Sequence, residues 1–143
     1  MTLHPRGKRA VLELRPEQAE FPRVDPRVVG TRHTQLYYPS WSNQAKVRRA
    51  AGFNAITRLD IARDQRDTWF YGDHIVAEEH IVIAKPGSTK EGEGWLIGTF
   101  FDAALKVSGV AVFDAMKLAS GPIAVARMPY WIPFGFHGNW QAA

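Results

Sequence analysis

Apolar and polar residues alternate in short runs along this chain, and sustained helical periodicity is absent. A two-residue period sends successive side chains to opposite faces of a pleated backbone, so such alternation predicts half-buried strands. The pattern predicts strands at Ala10–Leu14, Thr34–Tyr38, Phe53–Ile61, Asp67–Tyr71, His80–Ala84, Trp95–Asp102, Gly109–Asp114 and Ile123–Met128. Turn-forming clusters separate them: Gly30, Arg63–Arg66, Lys85-Pro86-Gly87-Ser88, Glu91-Gly92-Glu93-Gly94 and Ala119-Ser120-Gly121-Pro122. Tyr130–Phe134 and Phe136–Trp140 read as a last strand or an irregular apolar segment, and the one helical candidate is Asn43–Ala51. The expected class is all-β, an antiparallel meander.

A loose internal echo points to a repeating unit. The alternating run Ala55–Asp60 ends at an aspartate before a polar turn and Thr68–Tyr71; Gly109–Asp114 does the same before Ile123–Arg127. Asp60 and Asp114 lie 54 positions apart, near the ~40–50-residue period of a propeller blade. On that period the 143 residues form a single unit, 1–143, of about three blades, with no linker dividing it. Three blades leave strand edges unpaired, and a closed ring needs more. The chain is therefore expected to pair with other copies or to be the end of a longer protein.

Composition narrows the class without naming a function. Hydrophobic residues make up 45% and charged residues 22%, ordinary for a globular domain. Cysteine is absent, which excludes disulfides and fits a reducing, cytoplasmic setting. No signal-peptide pattern follows Met1, and no apolar run reaches bilayer-spanning length, so a soluble protein is expected. The net charge of +4 comes partly from Arg6-Gly7-Lys8-Arg9 and Lys46-Val47-Arg48-Arg49. These charges are scattered and lack any recognition signature, so they read as solvated loops rather than a nucleic-acid surface.

Candidate chemistry rests on histidine. Of His4, His33, His74, His80 and His137, none forms a His-x-x-x-His or His-Glu-x-x-His pair. His74 and His80 flank Glu78-Glu79, a conceivable cluster but more ordinarily solvated turn and strand positions. His137 stands apart, in the apolar, Pro- and Gly-punctuated stretch Pro133-Phe134-Gly135-Phe136-His137-Gly138. Imidazole is a common metal ligand, and an apolar surround limits water access and tunes a bound metal.

That stretch resembles the Phe-His-Gly segment near the C-terminus of the carotenoid cleavage dioxygenases, a family that includes stilbene-cleaving enzymes. Three further segments are similar to it in the same order. They are Glu20-Phe21-Pro22-Arg23-Val24-Asp25-Pro26-Arg27, Glu79-His80-Ile81-Val82-Ile83-Ala84-Lys85-Pro86-Gly87, and Gly94-Trp95-Leu96-Ile97 with Phe101-Asp102-Ala103, then Val112-Phe113-Asp114-Ala115. His80 replaces a usual proline of the second. The resemblance implies a seven-bladed β-propeller holding one non-heme Fe(II) on its axis through four histidines from separate inner strands. It implies that His137 is an iron ligand and that Glu79 and Glu20 are carboxylates accepting from ligand imidazoles. Glu20 would orient a histidine outside this chain, and Glu78 competes with Glu79 if the register differs by one. A carboxylate at the far nitrogen fixes ring orientation and tautomer and makes the imidazole a better donor.

By the same resemblance, Fe(II) and O2 would cleave a C=C bond of a carotenoid, apocarotenoid or stilbene to give two carbonyl products. Phe134 and Phe136 are candidate substrate-tunnel residues, with core packing as the competing role; Tyr130 and Trp131 are further candidates. The family's other three ligand histidines lie N-terminal to the region represented here. The isolated chain is thus expected to be inactive, needing the rest of the propeller or other copies. Carotenoid substrates would bring contact with a membrane surface; phenolic stilbenes would need a shorter, partly polar pocket. Two other readings stay open: a non-catalytic β domain binding an apolar ligand or a complementary N-terminal partner, and an unrelated β-sandwich or barrel.

Overall fold

The computed structural model describes residues 2–12, 14–44 and 52–141. Nine strands form three antiparallel sheets among these residues, and no α-helix is present there. A short hairpin pairs β1 (Thr2–His4) with β2 (Arg9–Val11). A three-stranded sheet runs β3 (Gln35–Ser40), β4 (Ala55–Asp60), β5 (Gln65–Phe70), and a four-stranded sheet runs β6 (Ile75–Ala84), β7 (Gly94–Asp102), β8 (Val107–Asp114), β9 (Ala124–Arg127). Within each sheet sequential strands are neighbours, the meander of a propeller blade.

Aspartates at strand ends explain where the hairpins turn. Asp60 Oδ1 accepts from Arg63 N at 3.0 Å, Asp102 Oδ1 from Ala104 N and Leu105 N at 3.0 Å, and Asp114 Oδ1 from Met116 N at 2.9 Å. A short carboxylate that satisfies the next backbone N–H groups offers the chain an alternative to continuing the ladder. Asp60 and Asp114, the two aspartates of the sequence echo, therefore have the same local job in different sheets.

The core lies between the two larger sheets. Strict alternation along β7 buries Leu96, Gly98, Phe100 and Asp102, and β8 contributes Ala111 and Phe113 to the same face. Tyr37 and Ile56 from the three-stranded sheet, Ile75 and Val82 from β6, and Leu118 complete the cluster. Each such aliphatic or aromatic side chain contributes about 1.5–3 kcal/mol by leaving water.

The strand positions match the alternation, with informative exceptions. β6 begins at Ile75 rather than His80, because two adjacent glutamates mask the period where a β-bulge breaks it. Residues 128–140 have no strand of their own and run as an irregular segment across the four-stranded sheet. Ser108 anchors its start: Ser108 N donates to Tyr130 O (3.0 Å), Met128 N to Ser108 O (2.9 Å) and Ile132 N to Ser108 Oγ (3.1 Å). At the N-terminus, β2 ends at Val11, short of the expected Leu14. The helical candidate Asn43–Ala51 falls mostly outside the described residues; Asn43 and Gln44 form a turn.

Candidate metal-ligand site

The bulge in β6 builds the site. Ala77 pairs with Phe100 and His80 with Gly98, so Glu78 and Glu79 together oppose the single residue Thr99. An extra residue interrupts the alternation and re-aims the side chains around it. Glu78 and Glu79 consequently both reach the C-terminal segment instead of pointing to opposite faces. Glu78 accepts from Gly135 N at 2.9 Å and from the hydroxyl of Thr99. Glu79 accepts from Gly138 N at 2.7 Å and from His137 Nδ1 at 3.1 Å. Three residues apart on the segment, the two backbone N–H groups are gripped by two consecutive carboxylates.

Arg23 completes the arrangement from the other side. Segment 19–23 adds onto the free edge of β3, where Arg23 N donates to Tyr37 O (2.7 Å) and Tyr37 N to Arg23 O (2.8 Å). Its guanidinium then crosses to the four-stranded sheet. Nε donates to Glu79 Oε1 at 2.7 Å, and Nη2 donates to Glu79 Oε2 at 2.8 Å and to Gly138 O at 3.0 Å. Asp25, fully buried, fixes the chain just beyond: it accepts from Arg27 and from Gly92 N (2.9 Å).

Glu79 thus receives four donors, two per oxygen, which fills the acceptor capacity of an ionised carboxylate. Burial opposes its ionisation, but the Arg23 guanidinium, the Gly138 N–H and His137 together hold the carboxyl below the usual carboxylate range. An ionised acceptor at Nδ1 places the proton of neutral His137 on that nitrogen and leaves Nε2 its lone pair. The side chain of His137 is 70% exposed while that of Glu79 is 5% exposed. Phe21, in the left-handed region at φ 49°, sets its ring edge-on to His137 at 5.4 Å and to Phe136 at 6.2 Å. The imidazole lines a cleft of about 320 Å³ with Ile97, Val110, Ile132 and Trp140.

Other residues expected at the site fall elsewhere. Glu20 is exposed, its backbone N–H bonded to Pro39 O. Phe134 and Phe136 are 53% and 65% exposed, so neither belongs to the core of this chain; Phe134 stands edge-on to Phe101 at 5.9 Å. His80 is not a solvated strand residue. It is 1% exposed, with Nδ1 donating to Glu78 O (2.8 Å) and Nε2 accepting from Tyr71 Oη (2.7 Å). Burial pushes its pKa down to about 4. His4, His33 and His74 are exposed. Among the described residues, no group of three or more His, Cys, Asp or Glu side chains is placed to hold a metal.

Sequence reasoning missed Arg23 as part of the site. It lies within the quoted segment Glu20–Arg27, but its pairing with Glu79, 56 positions later, has no local signature.

Residues 1–142 match the family described as retinal pigment epithelial membrane protein. The chain is 32% identical over 130 residues to lignostilbene-α,β-dioxygenase isozyme III of Sphingomonas paucimobilis, covering 87% of this chain and 26% of that protein. It is 28% identical over 121 residues to apocarotenoid-15,15'-oxygenase of Synechocystis, covering 85% and 24%. The crystal structure of Pseudomonas brassicacearum lignostilbene dioxygenase superimposes with a TM-score of 0.81 at 26% identity, covering 89% of this chain and 28% of that one. The chain spans about a quarter of the length of these relatives.

Proposed function

Since this chain belongs to the carotenoid oxygenase family of retinal pigment epithelial membrane protein, we propose that it contributes the C-terminal ligand of a non-heme Fe(II) dioxygenase. The enzyme would cleave a C=C bond of a carotenoid, apocarotenoid or stilbene with O2. The observation carrying this reading is the bond between Glu79 Oε1 and His137 Nδ1 at 3.1 Å. It leaves Nε2 as a lone-pair donor on an accessible ring, the form in which imidazole binds a metal.

His137 fits iron as one ligand of several. One imidazole does not hold Fe(II) firmly against water, and no second histidine lies beside it among the described residues. A complete site would take its remaining histidines from another part of the propeller or from other copies of the chain. Glu20 would then serve as acceptor for one of those imidazoles. Bound iron would supply the activation of O2. This chain's own part is to orient one ligand and to wall the approach. Phe134, Phe136, Trp131 and Trp140, all largely exposed here, would be covered by substrate or by the complementary part of the propeller. Whether the substrate is carotenoid or stilbene depends on walls this chain does not supply.

The test is iron per chain after anaerobic Fe(II) loading and desalting, on material of known mass in solution. Monomer is expected to retain no iron and to leave stilbene and apocarotenoid substrates uncleaved. Any assembly retaining near-stoichiometric iron should lose it in His137→Ala. Iron retained equally by that variant overturns the assignment of His137, and cleavage by the monomer overturns the incomplete site.

A further inference from the structure

The acceptor side of Glu79 is the only face the metal reading requires, yet the carboxylate is gripped from behind by a second group. We propose that Arg23 is a positioning residue, fixing the direction in which His137 presents Nε2 by locking both the Glu79 carboxylate and the Gly138 carbonyl. The inference rests on His137 being a metal ligand but assigns the source of its orientation to a different strand edge and a different sheet.

Three observations support it. First, the contact uses the planar fork: Nε and Nη2 take one oxygen each of Glu79, at 2.7 and 2.8 Å. Two parallel bonds fix the plane of a carboxylate, whereas a single bond lets it rotate. Second, Nη2 turns its other hydrogen to Gly138 O at 3.0 Å. Gly138 follows His137 directly, and its N–H is already held by Glu79 Oε2 at 2.7 Å. Arginine and glutamate therefore clamp both polar groups of the residue next to the ligand. Third, Arg23 is itself anchored by two backbone bonds to Tyr37, a fully buried residue of the core. The line from core to imidazole runs Tyr37 backbone, Arg23 guanidinium, Glu79 carboxylate, His137 Nδ1.

The need for such a device follows from the segment. Residues 133–140 are exposed, carry no strand ladder, and place Phe136 at φ 55°. Within the segment His137 N donates to Gly135 O at 2.6 Å, a local turn that bends the backbone but does not set the direction of a side chain that is 70% exposed. A lysine at position 23 would keep the charge but could not span both carboxylate oxygens and the Gly138 carbonyl.

The test is ¹⁵N–¹H NMR of the imidazoles in the full chain, well above the ordinary imidazole pKa, for wild type, Glu79→Gln, Arg23→Met and Arg23→Lys. Wild type should show His137 in the Nδ1–H form. Both Arg23 variants should shift it toward the Nε2–H form that a free imidazole prefers in water, with loss of protection at the Gly138 amide. His80 provides an internal control, since Glu78 O and Tyr71 fix its tautomer independently of Arg23. An unchanged His80 shows that the variant is folded. Should Arg23→Met fail to fold, Arg23→Lys decides. A wild-type tautomer retained in a folded Arg23→Lys chain overturns the positioning role and leaves the Glu79–His137 pair standing. A wild-type His137 with no Nδ1–H preference overturns both.

Discussion

The imidazole of His80 lies directly over Gly98, its partner across β6 and β7. A Cβ built at Gly98 would clash with the ring at Cγ, Nδ1 and Cδ2. The ring is trapped there by bonds at both nitrogens, so it cannot swing aside.

Gly98→Ala should therefore behave as overpacking of a core. The expected loss is about 1–3 kcal/mol, read by urea denaturation, with the β6 bulge disturbed and the Glu78–Gly135 bond weakened. A variant as stable as wild type would mean that the ring moves freely.

The pH dependence of stability should carry the signature of His80. Burial lowers its folded pKa to about 4 from an ordinary 6.5, so the unfolded chain binds the proton first as pH falls. Stability contributed by the neutral ring is complete above the ordinary value and is lost between 6.5 and about 4. The total is on the order of 3 kcal/mol. Carboxylates held down by their partners, Asp25, Glu79 and Glu91, lose their contributions lower, from the ordinary carboxylate range downward. His80→Gln should flatten the upper window and leave the lower one. Denaturation midpoints across pH, compared between the two chains, check this.

Asp25→Ala should cost roughly 3 kcal/mol, because a buried ion pair is broken on one side only. Arg27 would lose its partner while still donating to Ser88 O and Lys90 O, and Gly92 N would be left unbonded. Thermal denaturation gives the magnitude. A change under half a kcal/mol would show that water takes over the role of the carboxylate.

Glu79→Gln should loosen the C-terminal segment without unfolding the sheets. A neutral amide cannot accept from four donors, and its NH2 faces Arg23, Gly138 N or His137. Losing the charged acceptor is worth about 1.5–3 kcal/mol locally. Hydrogen exchange at the Gly138 amide should accelerate about tenfold or more, with the β7 and β8 amides unchanged.

Much of the fold was legible because its causes are local. Alternation placed the strands from Gln35 to Arg127, and the strand-ending aspartates marked the turns. What alternation cannot show is where it fails. Glu78 and Glu79 look like a solvated pair, yet the bulge turns both toward the C-terminal segment and buries His80 beside them. At the site, His137 and Glu79 were named through resemblance of their segments, and geometry then brings them together across 58 positions. Arg23 was passed over because an arginine among charged neighbours gives no sign of a partner on another sheet. Glu20 is exposed and takes no part in the clamp on the C-terminal segment.

The most direct measurement is anaerobic titration of the full chain with Fe(II), followed by NMR of the histidine ring protons. Fe(II) is paramagnetic and broadens the resonances of the ligand it touches, even at weak affinity. Selective broadening at His137, with His80 and His74 sharp and the effect lost in His137→Ala, is the predicted result. Uniform broadening of the exposed histidines, or a sharp His137 at saturating iron, would contradict its assignment as the iron ligand of this chain.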